Sequence, residues 1–337
     1  MKHLSVIICT YNRAESLRET LASLKKQNLP KGIEAEVIVV NNNSRDHTEQ
    51  VVREAAVDSP IRLEYLVETR QGLSWARNTG IAKARGDVLA FLDDDVLLAT
   101  DWLEGLTRCF RETAADALGG RIDMKWLCEA PVWLTDDLKA PLISQDLGPE
   151  RREWRPGERT FLGANMAFRR KVFETCGDFR TDLGRKGNSL IGGEDREFFE
   201  RIAAGGFKIY YEPSAVVFHR VELERLSEQF YRKWYYDIGR TFGHMVPWRW
   251  HYAFLLAPFW VWKNFFSAGL NYLKARVRPG TGNGRFKSEI WFLHHWGVLK
   301  ERLVHWLPFK AGKRWCPFDE KQSAESGKRK AAETKQD

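Results

Sequence analysis

Over its first 120 residues the chain alternates between two hydrophobic periods that no single element can satisfy. Apolar, β-prone runs occupy Leu4–Cys9, Ala35–Val40, Ile61–Val67 and Val88–Leu92. Between them, Ala14–Lys26, Asp46–Ala56 and Leu73–Ala84 have helical spacing, the last closed by Gly86. Strands separated by single helices and short loops return to one mostly parallel sheet with helices on both faces. Strands covered on both faces have to be apolar throughout, as Val88–Leu92 is. The next helix is expected at Asp101–Arg111, with Thr100 or Asp101 as its N-cap.

The fourth run ends in Asp93, Asp94 and Asp95. A D-D-D run is compatible with a solvated turn, but three carboxylates closing a buried strand repel one another unless a cation sits among them. In open α/β sheets, ligands bind outside the carboxyl ends of the strands. The first strand ends in Cys9-Thr10-Tyr11-Asn12-Arg13 and the second in Asn41-Asn42-Asn43-Ser44. An aromatic face, a guanidinium, amides and a cation site are what a nucleoside diphosphate requires. No G-x-G-x-x-G follows the first strand and no G-x-x-x-x-G-K-[ST] occurs, which removes the warrants for a dinucleotide fold or a P-loop.

Further along, Met124–Gly157 holds no long periodic segment and reads as a loop-rich insertion. Phe161–Arg170, Phe207–Tyr211 and Ala215–Phe218 are strand-like, Gly192–Ala204 is helical, and from Leu223 the chain turns helical and aromatic. Residues 319–337 are polar, and disorder is expected there. Five scattered cysteines without C-x-x-C spacing argue against a disulfide framework and a zinc site. With no signal-like apolar region at the start, the expected location is the cytoplasm.

The net charge of +8 is unevenly placed. Arg225–Trp315 holds 16 Lys/Arg against 4 Asp/Glu and 9 of the 14 Trp. Trp250–Trp262 carries no Lys, Arg, Asp or Glu; after Lys263 a further apolar stretch runs to Leu273. A bilayer crossing needs about 20 apolar residues, and Lys263 and Pro258 interrupt this one. Three readings stay open: a segment lying in the headgroup region of an anionic membrane surface, a Trp-rich core helix pair, and a true span. The first is the working expectation, placing the protein on the inner face of the cell membrane. With no DNA- or RNA-binding motif, nucleic acid is not an expected partner.

The motifs S-V-I-I-C-T-Y-N-R, V-V-N-N-N-S-x-D, G-L-S-x-A-R-N-x-G-I-x-x-A-x-G-D and F-L-D-D-D occur in order, followed by L-G-A-N-M-A-F-R-R, G-G-E-D-R-E-F-F-E-R and V-V-F-H. Over Leu4 to His219 this set resembles the inverting family 2 glycosyltransferases, which have the GT-A fold. The resemblance implies a Rossmann-like, mostly parallel central sheet flanked by helices in residues 1–221, with nucleotide-binding (1–122) and acceptor-side (123–221) parts. An aromatic, basic helical extension follows over 222–318. The resemblance further implies that Asp95 ligates a divalent metal, Mn²⁺ or Mg²⁺, and that Asp93 faces the ribose or the metal shell. In some members a histidine matching His219 completes that shell. Thr10, Tyr11, Asn12, Arg13, Asn41, Asn42 and Asp94 fall in the nucleotide pocket, and Arg77 near the diphosphate. Asp195 matches the general base, with Glu194 its competitor.

Such an enzyme moves a sugar from a nucleotide-diphosphate sugar, a UDP-sugar by first expectation, to a hydroxyl of a glycan or lipid-linked glycan. Many relatives carry an acid at the end of the second strand, where this chain has Asn41 or Asn42, so the nucleobase stays open. Two other classes remain: a catalytically inactive, GT-A-like nucleotide-sugar-binding or scaffold protein, and a nucleotidyltransferase. The E-D helix and the A-R-N motif disfavour the latter.

Overall fold

A computed structural model describes residues 2–57, 59–155, 157–245, 253–254, 257–277 and 283–306. The expected disordered tail at 319–337, Cys316 and the start of the apolar run at Trp250 lie outside the described residues. The chain divides into two compact units, Met1–Trp234 and Tyr235–Asp337.

The first unit is an α/β layer structure around a sheet whose strands, in spatial order, begin at residues 62, 34, 3, 88, 165, 117, 209 and 96. Strands β1 (His3–Thr10), β2 (Glu34–Asn41), β3 (Arg62–Val67) and β4 (Val88–Asp93) are mutually parallel. Helices α1 (Ala14–Lys25), α2 (Thr48–Ala56) and α3 (Leu73–Lys83) link them, as the alternating pattern predicts. Period-two side-chain direction splits the core. Leu4, Val6 and Ile8 of β1 enter the hydrophobic layer containing α1 and α2, and Ile7 enters the layer containing Ala76 and Ile81 of α3. In that second layer Phe91, Phe168, Phe173, Phe179 and Phe198 form a cluster of ring contacts with centroids 4.6–6.3 Å apart.

Beyond β4 the sheet becomes mixed. A two-residue connection, Asp94-Asp95, leads into the short strand β5 (Val96–Leu98) and then α4 (Trp102–Glu112), with Asp101 at its N-cap position. Strand β6 (Ala117–Trp126), which the sequence pattern did not reveal, pairs with both β8 (Asn165–Arg169) and β9 (Ile209–Val221). The two strands expected at Phe207–Tyr211 and Ala215–Phe218 are one continuous β9. Its ladder with β6 jumps from Gly120↔Glu212 to Arg121↔Val216, so the irregularity spans Pro213, Ser214 and Ala215 and begins at a proline, which has no N–H to give. The insertion expected at Met124–Gly157 begins with the last three residues of β6; beyond them its described residues are mostly irregular, with two short 3₁₀ turns and the two-residue strand β7 (Arg152–Glu153). Helices α5 (Arg170–Cys176) and α6 (Glu194–Ala204) complete the layer.

Helix α7 (Glu228–Met245) continues from the first unit into the second. There α8 (Phe259–Val277) and α9 (Gly284–Trp306) pack through Val261, Phe265, Val298 and Leu299. Gly239 and Gly297 let α7 and α9 approach closely: a Cβ at Gly239 would lie 2.0 Å from the His294 carbonyl oxygen. Among the described residues no helix is long and apolar enough to cross a membrane.

Candidate active site

The parallel register brings three strand ends to one edge: Thr10 pairs with Asn41 and Cys9 with Asp93. The aspartates leave β4 here. Because β5 runs antiparallel to β9, with Val96 opposite His219, the histidine arrives beside Asp95 from a segment more than a hundred residues away. His219 is fully buried, and its Nε2 lies 3.4 Å from Asp95 Oδ1.

Asp95 is the most heavily contacted carboxylate of the three. Its Oδ2 accepts from Arg13 Nη1 and from Arg225 Nη2, each at 2.5 Å. Arg13 also lies 3.3 Å from Asp94 and 3.5 Å from Glu222. Burial alone would raise the Asp95 pKa, but His219, Arg225 and Arg13 outweigh it and hold the carboxyl well below its usual range. Asp94 has weaker compensation: burial pushes it up to about 6, against Arg13 and with Asp95 adding repulsion. Burial also drives the Cys9 thiol up to about 12, which makes it an inert wall of the site.

Among the described residues, no group of three or more His, Cys, Asp or Glu side chains gathers closely enough to hold a metal unaided. The residues nevertheless fit part of one. Asp95 Oδ1 is buried without a hydrogen-bond partner and faces His219 Nε2. Their 3.4 Å separation is near the roughly 3 Å edge of an octahedron with bonds of about 2.1 Å. Mg²⁺-like ions take one or two carboxylates and complete their shell with water and substrate phosphates. Asp95 and His219, with Asp93 at the strand end, are the residues that could hold such an ion.

The amides expected in the nucleotide pocket shape its loops. Asn42 donates to the carbonyls of Glu68 (3.1 Å) and Arg70 (2.8 Å), and its Oδ1 accepts from the Gly72 N–H at 2.7 Å. Asn41 donates to the Tyr65 hydroxyl and accepts from the Ser44 N–H. Asn12 adopts φ 52°, tolerable for an amide side chain, and its Oδ1 accepts from the Arg45 N–H. Asp46, the acid of V-V-N-N-N-S-x-D, accepts from the N–H groups of Ala14 and Thr48 and so ties together the starts of α1 and α2. Thr10 is buried, and Tyr11 is half-buried at the strand end.

Arg77 joins the aspartates to the second acidic pair. Buried on α3 and lying over the Phe179 ring, it donates to Glu194 Oε1 at 2.8 Å and stands 3.8 Å from Asp93 Oδ1. Burial raises the pKa of Glu194, and neighbouring Asp195 adds to the rise against the pull of Arg77. Asp195 is half-buried, and its Oδ2 accepts from the Gly163 N–H at 3.0 Å. Gly163 also leaves room for Arg77: a Cβ there would lie 2.3 Å from Arg77 Nη2. The structure thus gathers Asp93, Arg77, Glu194, Asp195 and Gly163 into one connected set. Arg13, Asp94, Asp95 and His219 form a second set at the same strand ends.

Sequence reading missed Arg225, Glu222 and Gly163. Arg225 follows His219 by six residues in H-R-V-E-L-E-R. A charge cluster immediately after an apolar strand bearing a candidate ligand was the available signal.

Comparison with known proteins bears on the family and the fold. The chain is 32% identical over 246 residues to the succinoglycan biosynthesis protein ExoM of Rhizobium meliloti, covering 72% of this chain and 75% of that protein. It is 28% identical over 222 residues to the glucosyl-dolichyl phosphate glucuronosyltransferase of Haloferax volcanii, covering 65% and 69%. Among solved structures, the mannosyltransferase PcManGT of Pyrobaculum calidifontis, in complex with GDP-Man and Mn²⁺, superposes with a TM-score of 0.52. That match has 21% identity and covers 98% of this chain and 79% of the other; it shows the shared GT-A fold. The model of glycosyl transferase family 2 matches residues 5–177, about half the chain, and the strand-end motifs that shape the site lie inside that span. The chain belongs to glycosyl transferase family 2.

Proposed function

We propose that this glycosyltransferase is inverting and metal-assisted, with Asp195 as its general base. It would move a sugar from a nucleotide-diphosphate sugar to a hydroxyl of a surface polysaccharide or lipid-linked glycan, at an anionic membrane face. The observation that carries this reading is Arg77, whose guanidinium reaches both Asp93 and Glu194. That guanidinium, 2.8 Å from Glu194 and 3.8 Å from Asp93, links the carboxylates offered to a cation with the pair offered to a proton, which supports one shared reaction centre.

Each residue has a separable task. Asp195 is the half-buried member of its pair, and the Gly163 N–H holds its carboxylate, which favours it over Glu194 as the group that takes the acceptor's proton. Glu194 is committed to Arg77 and keeps that cation in place. Arg13 and Arg225 hold Asp95 ionised and offer positive charge to a diphosphate. Asp95, His219 and Asp93 would hold Mn²⁺ or Mg²⁺. When bound, that ion supplies Lewis-acid stabilisation of the departing diphosphate. Tyr11 offers the nucleobase a face, and the loops set by Asn41 and Asn42 offer it backbone groups, with uridine the first candidate. The ExoM relative motivates the polysaccharide acceptor, and the dolichyl phosphate relative the lipid-linked one.

A thermal-shift panel of UDP-, GDP- and dTDP-sugars, with and without Mn²⁺, tests the assignment. A donor at a hundred times its Kd stabilises the fold by about 2.7 kcal/mol. One nucleotide class should raise Tm in a metal-dependent way in the native chain, and Asp95→Ala should abolish the shift. A shift of equal size in Asp95→Ala, or one indifferent to metal, would remove the metal from this reading.

A further inference from the structure

Helix α8 is apolar on two opposite faces. Val261 and Ala268 are buried in the packing with α9. At 100° per residue, Phe259, Phe266, Leu270, Leu273 and Val277 fall within an arc of about 60° on the other side. These five side chains are between 53% and 83% exposed, and Trp260 flanks them at 46%. An amphipathic helix ordinarily turns charge outward at such positions. A contiguous exposed apolar stripe marks an interaction surface.

The charges along α8 select the partner. Its 19 residues contain Lys263, Lys274 and Arg276 and no Asp or Glu. Lys263 and Lys274 lie on one shoulder of the stripe, eleven residues apart, so they are spaced about 16 Å along the axis. A second copy of this chain is a poor match, because a self-complementary contact would set these lysines beside one another with no acid on α8 to pair them. An anionic lipid surface matches both features. The acyl boundary takes the rings and branched chains, while long basic side chains reach up to phosphates.

We infer that α8 lies flat in the headgroup region of an anionic bilayer. Its stripe from Phe259 to Val277 is the inserted face, and Lys263, Lys274 and Arg276 contact lipid phosphates. This deepens, and rests on, the proposal that the enzyme works at a membrane face, by naming the surface that attaches it.

The test is co-sedimentation of the full chain with vesicles of phosphatidylcholine alone and of phosphatidylcholine with 30% phosphatidylglycerol. Light scattering on the same samples reads the oligomeric state. The native chain should bind the anionic vesicles at least tenfold more tightly than the neutral ones. Phe266→Asp and Leu270→Asp should each lower anionic binding at least tenfold. Lys263→Glu with Lys274→Glu should erase the preference for anionic lipid. Native binding with Phe266→Asp and Leu270→Asp unchanged would overturn the stripe and leave the membrane reading standing. No binding by the native chain to either vesicle would overturn both. A dimer that either aspartate variant dissociates would make a second copy the occupant and overturn the lipid assignment.

Discussion

The two units break the ordinary inside–outside rule in opposite directions. In the first, Arg77, Asp95, Glu194, His219 and Arg225 are buried, where a protein normally keeps apolar groups. In the second, α8 turns Phe266, Leu270 and Leu273 outward, where a protein normally keeps charge. Neither departure helps the fold. Buried ions lose hydration that even good pairing barely offsets, and exposed apolar area forgoes the main driving force for folding. The lesson is that each unit departs from the rule where a proposed function sits: the first at its buried charges, the second at its exposed stripe.

The sharpest way to break this comparison is to remove the proton acceptor alone. Asp195→Asn keeps the side-chain shape and an oxygen for the Gly163 N–H, so nucleotide affinity should stay within a factor of about two. The kcat should fall by about 10²- to 10⁴-fold, the range for a lost general base. Steady-state kinetics with a donor titration separates the two; an unchanged kcat would pass the role to Glu194.

Arg77→Met asks whether the buried charges serve the fold. It strands Glu194 beside Asp195 without its cation and should cost about 3–5 kcal/mol in urea unfolding. Adding Glu194→Gln should restore most of that stability, since a neutral buried pair is often as stable as the ionic one. Activity should not return with it. Stability that stays low in the double variant would mean that the ion pair does support the fold.

How much of this was legible depends on which physics wrote the signal. The parallel half of the sheet was readable because its central strands, buried on both faces, are largely apolar and end at polar residues, as Val88–Asp95 does. Strand β6 was hidden by Gly119, Gly120, Arg121 and Asp123, a composition that reads as loop. The structure explains the glycines: Cβ atoms there would lie 2.0 Å from Phe161 and 2.2 Å from Asn165. Asn165, in the L-G-A-N motif, donates to the carbonyls of Arg121 and Ala215 and accepts from the Trp102 indole, so it joins strands rather than facing the cleft. Asn42 carries the same lesson, since spacing placed it at a strand end but could not show its amide spanning to residues 68–72. Arg225 was missed for a third reason: the charge cluster after β9 was on view, but not its destination. It reaches Asp95 only because β9 runs antiparallel to β5, a pairing that no local pattern encodes.

That arginine gives a smaller and more pointed test. Arg225 puts a positive charge on Asp95 Oδ2 and lies 3.3 Å from His219 Nε2, so it should compete with a divalent ion when no nucleotide is present. In Arg225→Ala, Mn²⁺ binding alone should tighten about tenfold, equivalent to about 1.4 kcal/mol. The kcat/KM for donor should fall, because the diphosphate loses a cation. Manganese titration followed by electron paramagnetic resonance reads the first effect directly. Weaker metal binding in the variant would recast Arg225 as a residue that positions Asp95.

The smallest effect is expected where the second unit breaks the rule. Leu270→Gln on the exposed stripe should change unfolding free energy by no more than about 0.5 kcal/mol, as surface substitutions generally do. Leu299→Ala, on the packed side against α8, should cost about 2 kcal/mol or more. If α8 were covered by another part of the same protein, the two substitutions would cost alike, because burial rather than helix position sets the loss. Near-equality in a urea titration would therefore mean that the stripe belongs to the core, and the contrast between the two units would collapse into one ordinary fold with a charged site.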